Sequence, residues 1–281
     1  MKPDVWIPDG LAEEAAFART THMGIAAHPD DLEIEGYPGI VECFGRDDRW
    51  FCGVVVTDGA GSARGGPYAK VTNDEMVAIR RREQRKAAMV GDYGAMVMLG
   101  VTSAAIKDPA RPGVVETLAD LLRRARPEVV YTHNLADKHT THLAAGLATV
   151  EALRSLPLDQ RPWQVVGIEG WRNLDWLPDD EKVLLDVSGY GDLADRLAAV
   201  FVSQLDEGKR YDLAERGRRM ANATLLEPRA VEEADEITYA MDLTPLVRND
   251  DLDPAAYITA AIRRFEVDTE AAIARIQRSP T

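Results

Sequence analysis

The stretch Met23-Gly24-Ile25-Ala26-Ala27-His28-Pro29-Asp30-Asp31 decides the fold: an apolar run breaks abruptly into a polar cluster. The run reads as a buried strand, with a histidine and two aspartates standing where it ends. The pattern returns in Glu128-Val129-Val130-Tyr131-Thr132, which leads to His133 and then to Asp137-Lys138-His139-Thr140-Thr141-His142. Four of the five histidines, His28, His133, His139 and His142, therefore stand just after two strands. Outward from these runs, strands expected at 22–27, 51–57, 95–99, 128–132, 164–169 and 182–187 alternate with helices at 33–46, 73–92, 114–126, 140–156 and 193–205. Strands that are apolar throughout and alternate with helices imply a parallel sheet covered on both faces. The expected class is α/β: Rossmann-like, a mostly parallel sheet with helices on both faces, plus C-terminal elaboration. Ligands of such sheets bind at the carboxyl ends of strands, where both polar clusters stand. Residues 1–21 read as a leading segment with a helix over 11–19, and 22–281 as a single domain. Its last part reads as a helix over 210–219, a strand or helix over 235–242 and a closing helix over 253–277 with Pro254 in its first turn.

Composition narrows the function classes. Hydrophobic residues make up 46% and charged residues 28%, as in a globular protein with a sizeable core. The 33 basic and 47 acidic residues leave a net charge of −14, which argues against nucleic acid or an anionic membrane surface as partner. No apolar run approaches the length of a membrane span, so no membrane insertion is expected. A small-molecule substrate remains, handled by one chain or by a homo-oligomer. Cys43 and Cys52 show no CxxC spacing, and acids (Asp4, Asp9, Glu13, Glu14) occupy the stretch that a signal peptide would make apolar. Both features point to the cytoplasm.

His28 and Asp31 lie three apart across a strand-to-helix junction, so both side chains can face one point above the strand. Imidazole and carboxylate are both zinc ligands. Asp30, between them, is free to take a proton from bound water. The competing reading makes Asp30 or Asp31 an N-cap of the following helix. His139 and His142 are also three apart and share a face. One can complete a metal site and the other can stabilise an oxyanion. Thr140 reads as the cap of the next helix, which puts His142 in the first turn and His139 on the loop. Asp137 either orients a histidine or begins that helix. His133 and His22 read as structural. Two loops flank this edge of the sheet. The glycine-rich 58–70 loop is a substrate lid or a plain flexible connection, and the tryptophans of the 171–180 loop flank a ring or pack locally.

Taken together, His28-Pro29-Asp30-Asp31 with Glu33, Thr57-Asp58-Gly59, Arg80-Arg81-Arg82-Glu83 with Ala87-Ala88, and the His139…His142 pair resemble the PIG-L/LmbE-like zinc-dependent N-deacetylases over residues 22–160. That family includes N-acetylglucosaminyl-phosphatidylinositol deacetylases and bacterial thiol-biosynthesis deacetylases. The resemblance implies one Zn2+ per chain on His28, Asp31 and His142, with Asp30 as general base. It implies His139 at the substrate carbonyl or oxyanion, and Arg80 as a substrate contact. The residues around Arg80 (Arg81, Arg82, Arg85, Lys86) would by themselves suggest a solvated helix face. The chain departs from the family at three places. Glu35-Gly36-Tyr37-Pro38-Gly39 replaces a Gly-Gly pair, so that Tyr37 is expected to intrude on the pocket. His139-Thr140-Thr141-His142 replaces His-Pro-Asp-His. Ser103, with Asp108 further on, stands where sugar-binding members carry an aspartate.

The implied reaction is hydrolysis of an N-acyl group, acetyl foremost, from a small amine-bearing molecule such as an amino sugar or its conjugate. Alternatives are cleavage of a different amide, such as a thiol conjugate, and a non-catalytic Rossmann-like binding protein whose motif residues only cap helices. The full set of His28, Asp30, Asp31, His139 and His142 favours the enzyme, because a binder needs no base beside two ligands.

Overall fold

A computed structural model describes residues 2–205 and 209–277. Residues 206–208 and 278–281 of the expected 22–281 domain lie outside the described residues. Among the described residues eight strands, β1 (Asp4–Trp6), β2 (His22–Ala26), β3 (Phe51–Thr57), β4 (Ala95–Val101), β5 (Val129–His133), β6 (Gln164–Ile168), β7 (Lys182–Asp186) and β8 (Ile237–Asp242), form one sheet. Their order is β1-β4-β3-β2-β5-β6-β8-β7. The five central strands, β4 to β6, pair in parallel, while β1 on β4, β8 on β6 and β7 on β8 pair antiparallel.

The central strands lack polar alternation because both faces are covered. Ile25, Val54 and Val97 enter one buried cluster, with helices Val114–Ala125 and Thr140–Arg154. Their neighbours Ala26, Val55 and Met98 enter the other, with helices Tyr37–Cys43, Asn73–Val90 and Gly191–Ala198. The architecture is thus Rossmann-like α/β with added antiparallel edges. The chain winds from β2 through β3 to β4 on one side, then returns to β5 on the other. The crevice between the carboxyl ends of β2 and β5 is therefore the topological switch point, where open sheets bind ligands.

Several expected elements resolve differently. Residues 4–6 of the leading segment pair with Met98, Val97 and Met96 as an edge strand, and Arg85 grips Asp4 at 2.9 Å. The helix expected over 33–46 is two helices, Leu32–Glu35 and Tyr37–Cys43. Pro38 has no backbone N–H to continue the first helix and suits the opening turn of the second. Gly39 lets that second helix lie close on the sheet, since a Cβ there would fall 2.5 Å from the Tyr131 ring. The helical stretch at 193–205 is likewise split, into Gly191–Ala198 and Val202–Leu205. The ambiguous 235–242 stretch is β8, and the helix expected over 210–219 runs Tyr211–Leu225. Among the described residues no helix is long and apolar enough to cross a membrane.

Candidate metal centre

The ends of β2 and β5 are clamped together by a histidine. The Ala27 N–H donates to His133 Nε2 at 2.7 Å, and His133 Nδ1 faces the Glu35 carboxylate. His133 is fully buried and serves the scaffold. Beyond Ala27 the backbone turns sharply through Asp30, whose φ of +91° lies in a region that favours glycine. Such a conformation costs on the order of 1–3 kcal/mol and persists only where neighbours hold it. Here the Asp30 N–H donates to Gln84 Oε1 at 3.2 Å and the carboxylate pairs with Arg80 at 2.9 Å.

The turn brings Asp31 back over His28. Asp31 occupies the N-cap position of helix Leu32–Glu35 but makes no capping hydrogen bond. Its Oδ2 instead accepts the His28 N–H at 2.7 Å and lies 2.9 Å from His28 Nδ1 and 3.3 Å from His142 Nε2. Two imidazole nitrogens from different strand ends thus converge on one carboxylate oxygen.

His142 sits in the first turn of helix Thr140–Arg154, as expected, but Thr140 does not cap that helix. His139 holds the N-cap position, and Asp137 supplies the acceptor: its Oδ1 takes the His139 N–H at 3.0 Å. Asp137 Oδ2 takes the Trp171 N–H at 3.1 Å and faces His142 Nδ1 at 3.2 Å. Holding Nδ1 in this way leaves Nε2 as the lone-pair nitrogen aimed at Asp31. A Cβ on Gly170 would run into Glu35 Oε1 and lie 2.7 Å from Asp137 Oδ2, so only glycine lets the Trp171 loop approach this closely. His139 is half-buried and stacks on Trp171 with centroids 6.1 Å apart.

The donor set fits a divalent cation. His142 Nε2 is buried and, among the described residues, makes no hydrogen bond. Burial opposes a second proton on His142, yet Asp31 and Glu35 carry its pKa up to about 11. The same negative field favours a metal ion, which competes with protons for such nitrogens. Burial also works against ionisation of Asp31, but the His142 and His28 imidazoles hold its carboxyl well below the usual range. His139 is neutral: burial, with His142 and His28 beside it, pushes it down to about 4. Burial raises Asp30 to about 6 against the pull of Arg80. Ligating atoms of His28, His139 and His142 lie close enough together to share one ion, as do those of Glu35, His133, Asp137 and His142.

Arg80 does not stand on a solvated face. Helix Asn73–Val90 turns Arg80, Glu83, Gln84, Ala87 and Ala88 inward, the spacing of one helical stripe. The guanidinium, 1% exposed, binds Asp30 and the Pro29 carbonyl and approaches Glu83 at 3.5 Å. Glu83 in turn accepts the Ser203 N–H and hydroxyl at 2.8 and 2.7 Å. The structure therefore gathers His28, Asp30, Asp31, His139, His142 and Arg80 around one cavity of about 1690 Å³, open mouth included. Gly61, Ser62 and Ala63 of the glycine-rich loop border it, as do Ser103, Trp171 and Tyr211. Tyr37 does not intrude: it is buried, and its hydroxyl donates to the Tyr190 carbonyl at 2.8 Å. Trp176 packs against the core, and Asp108 is exposed. Sequence reasoning passed over Glu35 and Tyr211. Glu35 carried a signal, four residues after Asp31 on the same helix face; Tyr211 carried none.

The family profile described as PIG-L: GlcNAc-PI de-N-acetylase matches residues 23–153. No curated protein matches the chain. Crystal structures of similar fold include the conserved protein TT1542 from Thermus thermophilus, at 21% identity and TM-score 0.63 over 79% of this chain and 94% of that one. Another is GalB, the 4-carboxy-2-hydroxymuconate hydratase from Pseudomonas putida, at 18% identity and TM-score 0.62 over 80% and 96%. A third is the N,N'-diacetylchitobiose deacetylase from Pyrococcus horikoshii, at 18% identity and TM-score 0.60 over 83% and 88%. A hydratase and a deacetylase share this fold, so fold alone does not choose the reaction. The matched stretch, residues 23–153, carries His28, Asp30, Asp31, Arg80, His139 and His142, so every residue of the site read from the sequence lies where the chain is similar to this family.

Proposed function

We propose that the protein is a zinc-dependent amidohydrolase that removes an N-acyl group from a small amine-bearing molecule such as an amino sugar or its conjugate. One observation carries this reading: two imidazoles converge on Asp31 while the adjacent carboxylate, Asp30, stands apart from them at the same cavity, held by Arg80. A binding protein whose aspartates only cap helices does not account for this, because the Asp31 carboxylate caps nothing.

His28, Asp31 and His142 would hold one zinc ion per chain. When bound, zinc supplies a Lewis acid that acidifies water and polarises the scissile carbonyl. Asp30 takes the proton of the attacking water as the O–C bond forms, and delivers it to the amine nitrogen as the C–N bond breaks. The products are a carboxylic acid and a free amine. His139, neutral by burial, donates an N–H to the carbonyl oxygen as charge develops there. Arg80 fixes Asp30 from the buried wall of the cavity. Two buried, unpaired cysteines suit a reducing cytoplasm.

The test is a strip-and-reload assay. Protein treated with a chelator, then returned to zinc, is offered N-acylated amino sugars and thiol conjugates, and free amine is measured. Release that appears only after zinc is returned is the expected outcome. Equal release with and without zinc, or none from any acyl amine, would contradict the reading.

A further inference from the structure

The main cavity has a side branch of about 480 Å³, counting its open side. Asp30, Ile34, Tyr211 and Glu215 border both spaces, so the branch opens beside the proposed base. One side of it is apolar: Ile34 from the helix after the His-Asp motif, Ala194 and Ala198 from helix Gly191–Ala198, then Phe201 and Leu205. Charged groups also reach the border, and each has at least one partner among the described residues, although Glu33 Oε2 is buried without one. Glu33 accepts from Gln84 and Tyr93 at 2.9 and 2.7 Å, and Arg219 pairs with Glu236 at 2.7 Å. Asp195 pairs with Arg216 at 2.9 Å, Asp212 with Arg210 at 2.7 Å, Glu215 with Arg218 at 3.3 Å and Asp30 with Arg80 at 2.9 Å. The larger part of the border left to meet a ligand is hydrocarbon.

We propose that this branch is an acyl pocket, and that the amide cleaved at Asp30 carries a medium-length unbranched acyl chain of the hexanoyl class rather than acetyl. The inference rests on the amidohydrolase reading and adds the acyl group to it. An acetyl methyl would leave the apolar walls uncovered. A longer chain leaving the scissile carbonyl past Asp30 would cover them, while the amine half occupies the wider cavity towards Trp171. Each methylene buried there adds about three- to fourfold to binding in the transition state. Residues 194–205, which supply most of the apolar side, lie outside the 23–153 stretch that matches the family.

The test compares kcat/KM of the zinc-loaded protein for glucosamine carrying N-acetyl, N-butanoyl, N-hexanoyl or N-octanoyl groups. The expected result is a hexanoyl-to-acetyl ratio of at least about tenfold, which Ala198→Phe brings close to one by filling the branch. Acetyl cleaved as well as hexanoyl, or a ratio that Ala198→Phe leaves in place, would overturn the proposal. Should no acyl amine be cleaved, the amidohydrolase reading falls, and thermal denaturation in hexanoate against acetate decides the pocket separately. A larger Tm rise with hexanoate, lost in Ala198→Phe, supports it; equal rises refute it.

Discussion

The cavity has two banks of different construction. The first, from residues 23–153, hangs its functional groups on strand ends: His28, Asp30 and Asp31 after β2, His139 and His142 after β5. Parallel pairing and the Ala27–His133 clamp hold those ends rigidly. The second bank, from the C-terminal region, offers Trp171 and Phe201 from loops and Tyr211 from the start of helix Tyr211–Leu225. Its contacts are stacking and burial: Trp171 against His139, and the Lys209 ammonium 3.9 Å from the Trp171 ring centroid. The difference teaches a division of labour. The groups proposed to move protons or hold a cation need placement to a fraction of an ångström and follow on the ends of two paired strands. The groups proposed only to cover a substrate tolerate exchange and sit on loops or at a helix end.

The largest expected effect falls on the first bank. Asp30→Asn should lower kcat roughly 10²–10⁴-fold while zinc content stays near one per chain, because an amide cannot take a proton from bound water. Zinc analysis and kcat on the same preparation check both halves. A variant that keeps its rate, or loses its zinc, would break the separation between base and ligands. A smaller effect belongs to the second bank. Trp171→Ala should raise KM roughly two- to tenfold, the worth of one stacking partner, with kcat little changed. A loss confined to kcat would move Trp171 into the first bank through its contact with His139.

The same division explains what could be read from the chain. His28 with Asp31 and His139 with His142 were legible because each pair is local, three residues apart at the end of an apolar run. The parallel core was legible because β2 to β6 are mostly apolar and lack polar alternation. Arg80 misled by its company: four neighbouring cations suggest solvent, and only the helical stripe through Ala87 and Ala88 marks the inward face. The Thr140 cap was a sound local expectation, overridden when Asp137 took the His139 N–H. β1 was too short to register, and it forms only because β4 offers an open edge. Tyr211 and Phe201 reach the cavity through tertiary packing of separate elements, and no spacing within the chain records that.

The central claim is that His28, Asp31 and His142 form the metal site while His139 stands off it. The most direct measurement is a crystal structure of zinc-loaded protein with anomalous scattering recorded at the zinc edge. The account predicts one strong peak per chain within bonding distance, about 2.0–2.2 Å, of one nitrogen each of His28 and His142 and one oxygen of Asp31, with His139 unbonded. A peak bonded to His139 in place of Asp31, a peak held in the Glu35, His133 and Asp137 group instead, or no peak at all would contradict it.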